Sequence, residues 1–220
     1  SLNGKQPIPM LGENKQYLVK SRLAPLMIKF DIQSLSELVT KTLAPTERQL
    51  RASVIDAMTT NETLWFRDSH PFKILENRLL PELCAKQKSL DLWCAASSTG
   101  QEPYSISMII EEFKRSHPGR LTSEKIVATD ISSSALERAK SGVYDQLALG
   151  RGMPEDFLTR YFSKHEDSWK VNSNVAARVQ YRMLNLLHSY WMLGKFDIVF
   201  KKENGEEKTH TYELKDRVKA

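Results

Sequence analysis

The segment Leu90–Ile110, LDLWCAASSTGQEPYSISMII, decides the fold of this chain. A short apolar run stops at Cys94, six small residues follow, and Gln-Glu-Pro then opens a helical pattern. This order predicts a strand, a tight turn and the N-terminus of a helix. Small side chains let the backbone of such a turn approach a ligand closely, and in an α/β sheet a nucleotide-like cofactor binds there.

The turn differs from two common phosphate-binding sequences. It has one glycine, Gly100, where the dinucleotide fingerprint has three, and no Gly-Lys-Ser/Thr follows. Glu102 at the helix start would repel a phosphate, but it would suit a cationic group such as the ammonium of an amino acid. The alternative interpretation is that Glu102 is the acid that commonly occupies the first turn of a helix.

The composition is that of a globular protein, with 220 residues, 40% hydrophobic and 27% charged, and a net charge of +5. The modest charge argues against a nucleic-acid partner. No apolar run approaches the length of a membrane span, so we expect no insertion into a membrane. The five histidines lack metal-site spacing. We expect Cys84 and Cys94 to be reduced and buried, as in a cytoplasmic protein.

Residues 1–60 have helical patterns and carry eight basic and five acidic side chains, a net charge of +3. They predict a small basic helical domain. Its basic face is either a docking site or plain solvated surface. The predicted helices are Asn14–Ile28, Ser34–Thr42 and Thr46–Met58.

Local signals give these helices their predicted faces and ends. We place Leu18, Leu23 and Leu26 on one apolar face of the first helix. Pro25 is expected to kink or end that helix. Ser34 and Thr46 are the predicted N-caps of the other two.

From residue 89 onward, strand patterns alternate with helical patterns, which predicts a parallel α/β sheet. The predicted strands are Ser89–Cys94, Lys125–Thr129, Val179–Met183 and Phe196–Phe200. The predicted helices are His70–Glu82, Glu102–Ser116, Ser132–Ser141 and Pro154–Phe162. Ser132 is expected to open its helix and Gly142 to stop it.

Asp130 directly follows the second predicted strand. An acid at that position meets the ribose hydroxyls of a cofactor that lies over the first turn. The alternative is a helix-capping aspartate, because ATDISSS also has the pattern of a helix start.

Four segments together resemble the family of chemotaxis-receptor glutamate methyltransferases (CheR), in order and spacing, over about residues 8–200. They are TNETLWFRDSHPF, WCAASSTGQEPYSISM, ATDISSSALERAKSGVY and LNLLHSYWMLGKFDIVF. The resemblance implies an α/β fold: a Rossmann-like methyltransferase domain that depends on S-adenosylmethionine, preceded by a small all-α domain. We expect an N-terminal helical domain at 1–60, an incomplete methyltransferase domain at 61–200 and an atypical tail at 201–220.

The resemblance also implies which residues bind the cofactor. Glu102 would hold the methionine ammonium, Asp130 the ribose hydroxyls, and Asn185 and Leu186 the adenine. Ala95 would contribute backbone in the turn. The full implied set is Asn61, Thr63, Arg67, Ala95, Glu102, Asp130, Asn185 and Leu186.

The activity implied is transfer of a methyl group from S-adenosylmethionine to glutamate side chains on the cytoplasmic domains of methyl-accepting chemotaxis receptors, which leaves S-adenosylhomocysteine. Arg67 would orient the acceptor carboxylate, or else form a surface ion pair with Asp68. Lys20 and Arg22 would steer the acidic partner. No general base is expected, because a glutamate is already ionised at pH 7.

After Phe200 the sequence departs from the family's C-R-N-V segment and reads KKENGEEKTHTYELKDRVKA. Asn204-Gly205 in this tail predicts a β-hairpin that could close the sheet edge. A natural variant, a truncated or chimeric chain, and an altered sequence are three explanations. Two alternative functions remain: an impaired remnant or sensor that binds S-adenosylmethionine, and a methyltransferase of the same fold with another acceptor.

Overall fold

The structure is a computed structural model that describes residues 13–187, 190–202 and 209–213. The chain forms two compact units, Ser1–Thr60 and Asn61–Ala220. Within the described residues, no helix is long and apolar enough to cross a membrane.

The described residues of the first unit form three helices: α1 (Glu13–Lys29), α2 (Leu35–Leu43) and α3 (Arg48–Met58). Their core consists of four buried aliphatic side chains, Leu23, Ile32, Leu38 and Leu50. As predicted, Ser34 caps α2, and its hydroxyl accepts a hydrogen bond from the N–H of Glu37.

Two expectations about this unit are wrong, and one of the two outcomes expected at Pro25 does not occur. Pro25 does not end α1, which continues to Lys29, because the apolar residues on both sides of this exposed proline pack into the core. Leu18 is 51% exposed and does not join that core. The N-cap of α3 is Glu47 rather than Thr46, because Thr46 is part of the turn that precedes the helix.

In the part of the second unit that the structure describes there are eight strands. In chain order they are β1 (Ser89–Ala95), β2 (Ser123–Asp130), β3 (Val143–Tyr144), β4 (Phe162–His165), β5 (Ser168–Val171), β6 (Val179–Met183), β7 (Ile198–Lys202) and β8 (Thr209–Glu213). Five of them form one sheet in the order β6-β2-β1-β7-β8, in which only β8 is antiparallel to its neighbour. The predicted parallel α/β sheet is therefore confirmed.

The helices of the second unit follow the predicted alternation. They are α4 (His70–Ile74), a π-helical turn (Leu75–Leu79), α5 (Leu80–Cys84), α6 (Gln101–Ser116), α7 (Ser133–Ser141), α8 (Gln146–Leu149), α9 (Glu155–Tyr161), α10 (Ser173–Ala176) and a 3₁₀ turn (Trp191–Leu193). Ser132 and Gly142 bound α7 as expected. One face of the large sheet packs its buried residues, such as Leu92 and Phe200, against α6 and the α4–α5 region.

The sequence analysis did not predict the second sheet, which is antiparallel and has the order β3-β5-β4. Its strands are two to four residues long, too short for a clear alternation. The turn between β4 and β5 places Glu166 at φ +51° without a glycine. The usual turn signal is therefore missing from the sequence.

The final predicted strand is displaced by two residues, since β7 spans Ile198–Lys202 rather than Phe196–Phe200. Strand β8 pairs with β7 at the sheet edge. The predicted Asn204-Gly205 turn lies outside the described residues.

Candidate cofactor site

The candidate site lies where β1 and β2 end. These strands are parallel and in register, so that Ala95 is opposite Thr129. Their carboxyl ends therefore meet at one edge of the sheet, which is where α/β proteins bind cofactors. Ala95 is buried at the end of β1, and residues 96–100 connect it to α6.

The connecting turn contains three residues with left-handed backbone angles: Ala96 (φ +63°), Ser98 (φ +50°) and Gly100 (φ +96°). The N–H of Ser97 donates to the carbonyl of Thr129, at 2.8 Å, and thereby ties the turn to β2. Non-glycine residues with such angles cost about 1–3 kcal/mol each, and they concentrate at functional sites.

The protein interior leaves no room for a side chain at Gly100. A Cβ at this position would lie 2.8 Å from the hydroxyl of Tyr181, 2.9 Å from that of Tyr144 and 3.0 Å from the Cβ of Ala139. Burial raises the pKa of both tyrosines well above the usual value. Packing of the protein interior is therefore one reason for the glycine at position 100.

The carboxylate of Asp130 connects the turn to the end of β2. Its Oδ2 accepts from the N–H of Ser98 at 2.7 Å, and its Oδ1 accepts from the N–H of Ser132 at 2.9 Å. The N-cap of α7 is Ser132, whose hydroxyl accepts from the N–H of Ala135. Asp130 is therefore not the N-cap of α7, which was the alternative interpretation. Its carboxylate instead accepts a hydrogen bond from the N–H of the cap residue, Ser132.

Asn61 joins the same network from a distant part of the sequence. Its Nδ2 donates to the hydroxyl of Ser132 at 3.2 Å, and its carbonyl accepts from the hydroxyl of Ser98 at 3.0 Å. The structure therefore brings Asn61, Asp130 and the turn together. Ser98 and Ser132 make these links. The sequence analysis assigned Ser132 only as a cap and gave no role to Ser98.

The segment that carries Arg67 is fixed from two sides. The indole N–H of buried Trp65 donates to the carbonyl of Ala148 at 3.1 Å, and its backbone N–H donates to that of Arg151 at 3.2 Å. The N–H of Phe66 donates to the hydroxyl of Ser105, in α6, at 3.2 Å. The half-buried Arg67 donates through Nη1 to the carbonyl of Glu62 at 3.3 Å.

Glu102 lies in the first turn of α6, beside the end of β1. Burial raises the pKa of the Cys94 thiol, and the nearby carboxylate of Glu102, to which that thiol is hydrogen-bonded, acts in the same direction. The Glu102 side chain therefore reaches back toward the strand end. Cys84 and Cys94 are both free and buried, as expected.

The remaining predicted site residues lie at two positions. Thr63 is half-buried in the segment between Asn61 and Trp65. Asn185 and Leu186 follow β6, where the N–H of Leu184 donates to the carbonyl of Asp130 at 2.9 Å. The Oδ1 of Asn185 accepts from the N–H of Leu187, and Leu186 is 43% exposed.

Lys20 and Arg22 belong to the first unit and differ in environment. Lys20 is exposed on α1. The guanidinium of Arg22 donates to the carbonyl of Met58 at 3.1 Å and to the hydroxyl of Thr60 at 3.1 Å, so it also holds the end of α3.

The groups at the sheet edge fit S-adenosylmethionine chemically. A carboxylate at the end of the second strand suits a ribose diol, and a carboxylate at the start of the following helix suits an ammonium group. Asp130 and Glu102 are these two carboxylates. The parallel sheet and these two carboxylates are compatible with the class of methyltransferases that depend on S-adenosylmethionine.

Comparison with known proteins gives the family. Residues 61–204 match the family model described as CheR methyltransferase, SAM-binding domain. The chain belongs to this family and is a methyltransferase of the chemotaxis type that uses S-adenosylmethionine. The match extends to residue 204, four residues beyond the limit that we predicted.

Several curated relatives align with most of the chain. The chemotaxis protein methyltransferase of Vibrio parahaemolyticus is 52% identical over 192 residues, which cover 87% of this chain and 70% of the relative. Chemotaxis protein methyltransferase 1 of Pseudomonas aeruginosa is 53% identical over 196 residues, with 87% and 71% covered. The Escherichia coli enzyme is 37% identical over 153 residues, with 66% and 50% covered.

Proposed function

We propose that the protein methylates glutamate side chains on the cytoplasmic domains of methyl-accepting chemotaxis receptors, and that it acts in the cytoplasm. Membership of the family supports the chemotaxis assignment. The proposal rests chiefly on Arg67, a half-buried arginine in a segment that is hydrogen-bonded to the first two turns of α6. An arginine there can bind an acceptor carboxylate through two parallel N–H donors.

In this proposal the cofactor is held by residues from four segments. Glu102 binds the ammonium group and Asp130 the ribose hydroxyls. Ala95 contributes backbone contacts at the end of β1. Asn61 and Thr63 line the site from the segment before α4, with Arg67 beside the transferred methyl group. Asn185 and Leu186 flank the adenine.

The chemistry needs positioning more than proton transfer. The bound cofactor supplies an electrophilic methyl group on a sulfonium. The acceptor glutamate is already ionised at pH 7, so no residue of this chain has to remove a proton. Arg67 then contributes by aligning the carboxylate. The product ester is neutral, so each transfer removes one negative charge from the receptor.

The first unit, residues 1–60, is proposed as the helical domain that attracts this acidic partner. Its net charge of +3 favours the approach of an acidic helical surface. Lys20 is exposed and available for this role. Arg22 would contribute its charge while it also holds the end of α3.

The test is transfer of a labelled methyl group to a purified cytoplasmic receptor fragment. A matched fragment with glutamine at the acceptor positions is the control. We expect label only on the first fragment, and we expect mild alkali to release it as methanol, because methyl esters hydrolyse and N-methyl groups do not.

Three results would contradict the proposal. Label that resists alkali would indicate another acceptor group, and label on RNA, DNA or a small molecule would indicate another substrate. Cofactor binding without transfer to any acceptor would indicate the impaired binding protein.

A further inference from the structure

Two segments far apart in the sequence share one buried hydroxyl. Ser105 lies on α6, one helical turn after its start, and is fully buried. Its Oγ donates to the carbonyl of Gln101 at 2.7 Å and accepts from the backbone N–H of Phe66 at 3.2 Å. The hydroxyl therefore links the first turn of α6, which carries Glu102, to the residue directly before Arg67.

The backbone at this link needs external support. Phe66 has φ +49°, and Asp68 and Ser69 have φ +62° and +44°. For residues other than glycine, such backbone angles cost about 1–3 kcal/mol. These angles persist only where the surrounding structure holds them. The ring of Phe66 packs against Phe72 and Phe157, but ring packing alone does not fix the direction of its N–H.

Other contacts of the segment reach different elements. Trp65 is tied to Ala148 and Arg151, and a Cβ on Gly152 would collide with the carbonyl of Trp65. These contacts position the segment against the loop around α8. The hydrogen bond from Phe66 to Ser105 links this segment directly to α6.

We propose that Ser105 is a positioning residue for methyl transfer: its hydroxyl fixes Phe66, and through it the guanidinium of Arg67, relative to the helix turn that carries Glu102. The proposal rests on the proposed role of Arg67. Ser105 does not touch the acceptor, so its contribution passes through the backbone. A displacement of about 1 Å at a reacting group lowers a rate by up to about a hundredfold.

The chain offers a matched control two residues away. Ser107 is also fully buried on α6, and its hydroxyl donates to the carbonyl of Val175 at 2.7 Å and accepts from Nη1 of Arg178 at 2.9 Å. Ser107→Ala therefore removes a similar pair of hydrogen bonds that lead away from Arg67. Ser105→Ala and Ser107→Ala are expected to lower the melting temperature by similar amounts.

The experiment is a double-mutant cycle with Ser105→Ala and Arg67→Ala, measured as kcat for a receptor fragment. Ser105→Ala should lower kcat about tenfold or more in the wild-type background. In the Arg67→Ala background it should lower kcat by less than about twofold, because residues that act through one another are not additive. Ser107→Ala should leave kcat near the wild-type value.

Equal effects of Ser105→Ala in both backgrounds, or an equal loss with Ser107→Ala, would overturn the proposal. A second measurement does not depend on activity: hydrogen exchange at the Phe66 amide, followed by NMR. Exchange should become faster in Ser105→Ala and stay slow in Ser107→Ala, and unchanged exchange in Ser105→Ala would refute the link. If the wild-type protein transfers no methyl group to receptor, the proposed acceptor fails, and this exchange measurement decides the role of Ser105.

Discussion

At the scale of single residues, Asp130 has one role that the structure shows and one that we propose. Its two carboxylate oxygens accept backbone N–H groups from the turn and from the start of α7. A carboxylate has about four acceptor sites, so it can still accept hydrogen bonds from a ribose diol. The carboxylate is therefore oriented before the cofactor binds, which lowers the entropy cost of binding.

Asp130→Ala is expected to weaken binding of S-adenosylhomocysteine by about 1–3 kcal/mol, since it removes the hydrogen bonds to the ribose. Calorimetry measures the change. The matched control is Asp197→Ala, because Asp197 likewise accepts two hydrogen bonds, from the N–H of Asp91 and the side chain of Gln87, at the opposite edge of the sheet. Equal losses of affinity in both variants would remove Asp130 from the site.

Arg67→Ala is expected to lower the rate of methyl transfer by about a hundredfold while it changes cofactor affinity much less, because the lost contact is to the acceptor. Arg67→Lys keeps the charge but loses the planar pair of donors. We therefore expect an intermediate rate for the lysine variant. Calorimetry and a transfer assay on the same preparations test this. Equal losses in binding and transfer would assign Arg67 to the cofactor instead.

At the scale of elements, the conformation of the turn from β1 to α6 depends on contacts with other parts of the second unit. Gly100 sits against Tyr144 and Tyr181, and its neighbours in the turn are tied to Thr129 and Asp130. The hydroxyl of Tyr144 also donates to the carbonyl of Thr99 at 2.7 Å. The shape of the turn therefore depends on elements that come much later in the chain.

A comparison of Gly100→Ala with Gly119→Ala separates two costs of replacing a glycine: backbone strain and overpacking. Gly119 has φ +77°, and a Cβ there would meet no atom of the described residues within 4 Å, so its substitution costs only backbone strain, about 1 kcal/mol. Gly100→Ala adds overpacking against the tyrosines, about 1–3 kcal/mol more. The measurement is denaturation followed by tryptophan fluorescence. It reports on the second unit, because all four tryptophans lie after residue 60. If the two variants lost equal free energy of unfolding, the tyrosines would move aside without cost and the overpacking would be absent.

Helix ends that depend on a single nearby residue could be predicted from the sequence. Ser132 and Gly142 bound α7 as expected, because a cap hydroxyl and a left-handed glycine act within one helical turn. The small antiparallel sheet was not predicted, because its strands are short and its turn uses Glu166 rather than glycine. Pro25 does not end α1, because the packing of this helix against its core outweighs the hydrogen bond that proline removes.

The candidate site could be predicted only in part. Glu102 and Asp130 follow strand ends, and a strand end is visible in the sequence. The links through Ser98 and Ser105 were not visible, because they join residues 37 and 39 positions apart. A buried serine within an apolar helix is a weak signal, since its hydroxyl can also be satisfied by its own helix.

At the scale of the whole molecule, charge is the feature that bears on the partner. The chain has a net charge of +5, of which residues 1–60 supply +3. Long-range attraction of an acidic partner depends on where this charge lies and is screened by salt.

Lys20→Glu is expected to raise KM for a receptor fragment severalfold and to flatten its dependence on salt, because it reverses a charge on the proposed steering surface. Lys86→Glu is the matched control: it makes the same change in net charge on the exposed surface of the other unit. Arg22→Glu is less suitable, since it would also release the end of α3. Equal effects of the two lysine variants would reduce the role of Lys20 to net charge.

The most direct test of the site at the ends of β1 and β2 is titration of S-adenosylhomocysteine into the 220-residue chain by calorimetry, with the wild-type protein and Asp130→Ala side by side. We expect one-to-one binding by the wild-type protein and weaker binding by the variant. Failure of the wild-type chain to bind, when circular dichroism shows that it is folded, would contradict the assignment of this sheet edge as the cofactor site.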